Sequence, residues 1–176
     1  SPIFEALETL SRGFCHVCAS MRRGYLYKEA KKLGCNKIAL GHHMDDAVET
    51  ILLSLFYGGE YKTMMPRLKS KNFEGMELIR PLYLVRERDI IAWQQFMGLD
   101  TLRCACQVTQ SEDGGKRKQM KELLARLEVE TPGVFGNIFH SIEHVNLQTI
   151  LGYQETTDSP IIRVMDGSVS VEDGEG

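Results

Sequence analysis

Two groups of side chains in this sequence have the types and spacing that do chemistry. The first is a set of thiols. Cys15 and Cys18 form a Cys-x-x-Cys, and Cys104 and Cys106 follow in a distant segment. Such a set ligates zinc, ligates an iron–sulfur cluster, or works as a redox pair. A redox pair opens a helix after a strand, and the residues before Cys15 do not read as a strand. Four thiolates would close a structural zinc site. Three would leave one iron of a cluster open to an exogenous ligand such as sulfide. Cys-x-Cys is a tight spacing for two ligands of one metal, so both counts stand. Cys35 reads as a small buried hydrophobe.

The second group is Gly41-His42-His43-Met44-Asp45-Asp46. It falls where the carboxyl end of a strand meets a helix, the place where open α/β sheets bind ligands. Carboxylates there can hold Mg²⁺ beside a nucleotide's phosphates. A helix dipole accounts for a single acid at such a place, but not for two histidines and two aspartates together. Ser111 to Lys116 resembles a phosphate loop only superficially. It lacks the preceding strand and the glycine–lysine spacing, and it reads as a surface turn.

Both groups need elements to position them. The pattern predicts a helix from Ala19 to Lys32, with Met21, Leu26, Ala30 and Leu33 toward the core and Gly34 as its C-cap. Lys37 to Leu40 reads as a short buried strand. A second helix runs from Asp45 to Gly58-Gly59, with Ile51, Leu52, Leu55 and Phe56 on its apolar face. Tyr61 to Gly75 reads as a loop. Met76 to Val85 reads as a strand that Arg80-Pro81 ends or turns. A third helix covers Arg86 to Gly98, with Ile90, Ile91, Trp93, Phe96 and Met97 as packing residues. Lys116 to Leu127 and Val134 to Leu151 are the last helices. Ile161 to Val164 could form a short strand in an otherwise irregular, acidic and mobile end. Alternating helix and strand give an α/β class with a parallel sheet. The expected divisions are 1–100, a nucleotide-binding portion; 101–152, a helical segment with the distal cysteines; and 153–176, an acidic tail.

Composition sets the frame. The chain has 176 residues, 43% hydrophobic and 26% charged, which suits a soluble globular protein with its own core. Its longest apolar runs, such as Ile51-Leu52-Leu53, are too short to span a bilayer. Five cysteines, an odd count, argue against a disulfide scaffold and for a reducing cytoplasm. Net charge is −3, but it is unevenly spread. Glu155 to Gly176 carries six acids and one arginine, which leaves 20 basic against 18 acidic residues elsewhere. The basic residues cluster around Arg22-Arg23, around Lys62 to Lys71, and around Lys116-Arg117-Lys118, patches suited to a phosphate backbone or to solvated faces.

Taken together these residues resemble a known family. Cys15-x-x-Cys18, Arg22-Arg23-Gly24, Lys37-Ile38-Ala39-Leu40-Gly41-His42-His43 with Asp45-Asp46, Phe56-Tyr57-Gly58-Gly59, Ile79-Arg80-Pro81-Leu82 and a distant cysteine occur in the order seen in the TtcA family. These are tRNA 2-thiocytidine synthetases of the PP-loop ATPase superfamily. The resemblance implies a partial Rossmann-like parallel sheet, of the adenine nucleotide alpha hydrolase type, with a helical C-terminal region. It implies that ATP adenylates the C2 oxygen of an anticodon-loop cytidine and that sulfide held by a 4Fe–4S cluster replaces it. Cys15, Cys18 and Cys104 would be the cluster ligands. Cys106 sits one residue short of the family's spacing and is left out. Gly41, His42, Asp46 and Arg80 would border ATP and Mg²⁺, and Asp45 would take a direct catalytic or metal role. Arg22, Arg23, Lys116, Arg117 and Lys118 would contact tRNA. The sulfur would come from a cysteine desulfurase or from free sulfide.

One departure is large. The superfamily's Ser-Gly-Gly-x-Asp-Ser loop is absent from the sequence. The chain is therefore expected to be the C-terminal part of a longer enzyme, inactive alone, with an open strand edge that could pair with a second copy as a homodimer. Two other readings remain at this point: a PP-loop sulfurtransferase acting on something other than tRNA, and a non-enzymatic module held by zinc.

Overall fold

A helix, a strand and a second helix carry the Cys-x-x-Cys and the histidine–aspartate motif. The computed structural model describes residues 14–101, 115–155, 161–165 and 168–172, with side chains described for 21–101, 115–155 and 161–162. The chain divides into two units, Ser1–Phe139 and His140–Gly176, each taken by itself below.

In the first unit, helix α1 spans Phe14–Lys32. It begins earlier than its apolar pattern suggests, so Cys15 and Cys18 lie within its first turns rather than ahead of it. Gly34, at φ +75°, ends it. The Gly34 amide donates to Lys31 O at 3.1 Å and the Cys35 amide to Ala30 O at 2.9 Å, the paired bonds of a left-handed helix stop. Strand β1, Lys37–Ala39, follows. Helix α2, Met44–Leu53, runs on into a π-helical turn, Ser54–Gly58, closed by Gly59 at φ +63°.

Strand β2, Arg67–Lys69, lies inside the segment that reads as a loop. It is three residues long, with two basic residues and every position exposed, the composition of a guarded sheet edge rather than of an apolar run. Strand β3, Glu77–Ile79, is the centre of the sheet, in the order β1-β3-β2. It pairs parallel with β1, Ile38 opposite Leu78, and antiparallel with β2, Leu68 opposite Leu78. The strand stops before Arg80-Pro81. There the Arg80 amide turns to Pro66 O at 2.9 Å, and proline offers no amide to continue the ladder. Helices α3, Glu87–Met97, α4, Gly115–Glu130, and α5, Val134–Ser141, complete the described elements of this unit.

The core is built on α2. Ala47, Val48 and Leu52 pack with Met120 and Leu124 of α4 and Phe135 and Phe139 of α5. Ile51, Met76 and Leu78 are also buried. Fully burying a side chain such as Val48 or Ile51 stabilises by about 1.5–3 kcal/mol. The α1 residues expected in the core are not there: Met21, Leu26 and Leu33 are exposed. Nor does α3 bury any residue, and Ile91, Trp93, Phe96 and Met97 stand in solvent. Leu55 and Phe56, on the π-turn, are exposed as well, since the extra residue per turn carries them off the face that Ile51 and Leu52 share. Cys35 is exposed too, not buried.

Helix α5 ends at Ser141, well short of the expected Leu151. Past that end, Asn146 makes a turn of its own. Its side-chain oxygen accepts the Gln148 amide at 3.0 Å, a local bond that competes with helix. The acidic end carries more order than its composition suggests. Strands β4, Gly152–Tyr153, β5, Ile161–Met165, and β6, Ser168–Glu172, form an antiparallel sheet in chain order. Among the described residues no helix is long and apolar enough to cross a membrane.

Candidate nucleotide site

The site forms where two neighbouring parallel strands end. Beyond β1 the Leu40 amide donates to Ile79 O at 2.9 Å, so the ladder with β3 holds up to the edge of the motif. Gly41 and His42 follow on one strand and Arg80 on the other. The Met44 amide donates to Val85 O at 2.9 Å, which fixes the start of α2 against the turn after β3.

His43 caps α2, where the dipole pattern alone points to an acid. Its Nδ1 accepts the Asp46 amide at 3.4 Å, and Asp46 Oδ2 accepts the His43 amide at 3.0 Å. This is a capping box made from histidine and aspartate. An accepting Nδ1 places the ring hydrogen on Nε2, which lies 3.4 Å from Asp46 Oδ2. The Thr50 hydroxyl donates to Asp46 O at 2.7 Å one turn further on.

The two aspartates face different partners. Asp45, on α2, is held by the start of α3. Arg86 donates to it through Nε, at 3.3 Å from each oxygen, and through Nη2 at 3.2 Å, and the Glu87 amide donates at 2.7 Å. Asp46 accepts Arg117 Nη1 at 3.2 Å on its other oxygen. The same Arg117 nitrogen donates to Glu49 at 2.8 Å. Glu49 is buried, and that burial raises its pKa while the Arg117 charge and hydrogen bond pull it down.

Two buried polar atoms at the strand ends have no partner among the described residues: His42 Nδ1 and Arg80 Nε. Burial lowers the His42 pKa, and the nearby Arg80 charge lowers it further against the pull of Asp46. Burial also lowers the pKa of Arg80, with Arg23 acting in the same direction. Arg80 Nη1 donates to Met65 O, which leaves Nε as the orphaned donor. A buried polar atom without a partner is costly, and a ligand with acceptor oxygens would meet the unpaired Arg80 donor.

The remaining sequence-predicted residues are placed as follows. Cys15 and Cys18 are three residues apart in α1, hence on one face of it. Cys104 and Cys106 lie outside the described residues. Gly41, Arg22 and Arg23 are exposed. Lys116 Nζ sits 4.2 Å over the Tyr57 ring, Lys118 is exposed on the same first turn of α4, and Arg117 is engaged with Asp46 and Glu49 as described. Sequence reasoning missed Arg86 and Glu128. Arg86 donates to Glu128 through two bonds of 3.1 Å and lies 3.4 Å over the Phe135 ring. Nothing local marks it, since its partners are 41 and 42 residues away.

Comparison with known proteins decides the family. The PP-loop domain matches residues 11–104, more than half of the chain, and spans the strand ends and the α2 motif. The chain belongs to the PP-loop domain family. Within this family it is 44% identical over 131 residues to a tRNA-cytidine(32) 2-sulfurtransferase of Anaeromyxobacter dehalogenans, covering 74% of this chain and 44% of the relative. It is 43% identical over 138 residues to the protein of the same name from Geobacter sulfurreducens, covering 78% and 53%. The PP-loop chain thus spans about half the length of the curated relatives it matches. Its fold is similar to that of the U34-tRNA thiolase NcsA from Methanococcus maripaludis, solved with its [4Fe-4S] cluster. The TM-score is 0.60 at 20% identity, over 82% of this chain and 49% of that one.

Proposed function

We propose that this chain serves in ATP-dependent thiolation of tRNA, converting an anticodon-loop cytidine to 2-thiocytidine. The observation that carries the reading is the pair of orphaned buried nitrogens, His42 Nδ1 and Arg80 Nε, at the ends of adjacent parallel strands in a PP-loop domain. The relatives at 43–44% identity are named for this reaction. Gly41, His42, Asp46 and Arg80 would border the nucleotide. Arg80 brings an unpaired donor and a positive charge to phosphate oxygens. Asp46 would offer a carboxylate to Mg²⁺, and in this structure that carboxylate accepts Arg117. ATP supplies the adenylyl group that turns the cytidine C2 oxygen into a leaving group.

The thiols fit a cluster as far as the backbone reaches. Cys15 and Cys18 share a helix face, and Cys104 would complete a set of three. A 4Fe–4S cluster on three cysteines supplies one open coordination position for sulfide, delivered by a cysteine desulfurase or as free sulfide. Arg22 and Arg23 on α1, with Lys116 and Lys118 on α4, would hold tRNA phosphates. Arg117 would join them once released from the acids.

The test is a deletion of the coding gene followed by nucleoside analysis of bulk tRNA. Loss of 2-thiocytidine, restored by the gene and not by a Cys15→Ala version, is the expected result. An unchanged level of 2-thiocytidine would remove tRNA thiolation and leave a sulfurtransferase with another substrate. Anaerobic metal analysis separates the zinc alternative: iron and sulfide with broad visible absorption against one colourless zinc.

A further inference from the structure

We infer that Phe56 and Tyr57 form an aromatic platform for an unstacked RNA base, beside the cations that begin α4. This rests on the tRNA reading above and extends it from phosphate contacts to base contacts. The chemistry at the strand ends gives these two rings no role.

The platform starts from an irregular piece of helix. Ser54–Gly58 winds as a π-helical turn, and Gly59 at φ +63° closes it. The extra residue per turn carries the following side chains off the buried face of α2. Leu55, Phe56 and Tyr57 are left 42%, 58% and 46% exposed, directly after a run that builds the core. Three large apolar side chains in a row on a surface turn forgo the stabilisation that burial brings.

Tyr57 is nevertheless fixed. Its hydroxyl donates to Gln119 Oε1 at 2.9 Å, and Lys116 Nζ stands 4.2 Å from its ring centroid. Lys116 and Gln119 are three residues apart on α4, hence on one face of it. The ring and a cation are thus held together. The first turn of α4 carries Lys116, Arg117 and Lys118 and no acid. Cations there oppose the helix dipole, so helix stability does not account for them. Asp46 and Glu49 answer Arg117, whereas Lys116 meets the face of a ring, a weaker counterpart than an anion.

Charge selects the occupant. Helix α3 also exposes aromatic rings, Trp93 and Phe96, but its first turn carries Glu87 and Asp89. A nucleic-acid strand needs cations for its phosphates and ring faces for its bases, and the π-turn offers both. This pairing of stacked bases with backbone cations is how single strands are held, and loop bases are the ones able to leave a stack. Duplex RNA keeps its base faces covered and would gain nothing from Phe56.

The test is anisotropy titration of the chain with a fluorescein-labelled anticodon stem-loop RNA, and with a duplex RNA of equal length, over a range of salt. Phe56→Ala should weaken stem-loop binding by about tenfold, the size of one lost base stack, and leave duplex binding and the salt slope unchanged. Phe56→Trp should restore stem-loop binding. Lys116→Gln should weaken both RNAs and lower the slope of log affinity against log salt by about 0.7, the share of one phosphate contact on a single strand. Unchanged urea midpoints for the Phe56 variants show that folding is not the cause. Equal losses on both RNAs for Phe56→Ala, no loss on either, or no stem-loop binding by the unaltered chain would each overturn the platform. The thiolation reading stands or falls separately, on 2-thiocytidine in the deletion strain. If that level is unchanged while Phe56→Ala still loses stem-loop binding selectively, the platform stays and thiolation goes.

Discussion

Helices α2 and α3 look alike in sequence and end up in opposite surroundings. They have ten and eleven residues, each with two acids in the first turn and an apolar stripe. Helix α2 buries Ala47, Val48, Glu49, Ile51 and Leu52, whereas α3 buries nothing. Phe96 is 86% exposed and Trp93 57%. An amphipathic pattern therefore reports that a helix is suited to a partner, and only the tertiary structure says which partner is present. What holds α3 in place is its first turn. The Glu87 amide donates to Asp45, and Lys121 pairs with Glu87 at 2.5 Å. One helix is held by its face and the other by its end.

The largest effect that would break this contrast is in the face of α2. Ile51→Ala should cost about 2–5 kcal/mol in denaturant unfolding, as a large-to-small change at a fully buried site does. A loss below 1 kcal/mol, about the level of a surface change, would mean that α2 is not the centre of the core.

An intermediate effect is expected where α2 carries a buried charge. Arg117→Met leaves Glu49 without its closest cation. With the arginine half exposed, the cost at neutral pH should be about 1–3 kcal/mol. The sign with pH follows from burial. The folded pKa of Glu49 lies above its unfolded value, so the penalty for ionising it is present above the folded pKa and vanishes once the group is protonated in both states. Unfolding curves of the two proteins should therefore converge as pH falls below 4.5, the ordinary value for the group. Parallel pH profiles would show that Arg117 acts by packing alone.

The smallest effect belongs to α3. Phe96→Ser should change stability by no more than about 0.5 kcal/mol. A loss of 2 kcal/mol or more in the isolated chain would show that something covers this face in solution.

The strand–helix alternation, the stop at Gly34 and the end of β3 at Arg80-Pro81 were legible because each rests on local chemistry: helical period, glycine at positive φ, a missing proline amide. The family motifs were legible too, and they led to the strand ends. The short basic strand β2 was not, because charged edge residues carry no apolar alternation. The early end of α5 was not legible either: the chain past Ser141 keeps apolar residues at helical spacing, and the Asn146 turn bond competes with helix only locally. Arg86 was invisible for a different reason. A salt bridge over 41 residues leaves no periodic trace, and only folding brings Asp45 to it. The same distance effect holds for the two aspartates. The resemblance gives Asp45 the direct role and Asp46 a place at the border of the nucleotide, and their separate long-range partners, Arg86 and Arg117, leave no local trace in the sequence.

The capping box at His43 has a consequence for how this end of the molecule assembles. Its two bonds join residues three apart, so they close almost no loop. The Asp45–Arg86 pair closes 41 residues, and the Asp46–Arg117 pair closes 71. Because the entropy of closure rises with length, the local bonds are the least costly to form and the long pair the most. The turn that presents Asp46 is thus set by its immediate neighbours in the chain, and α4 arrives at a carboxylate already aimed.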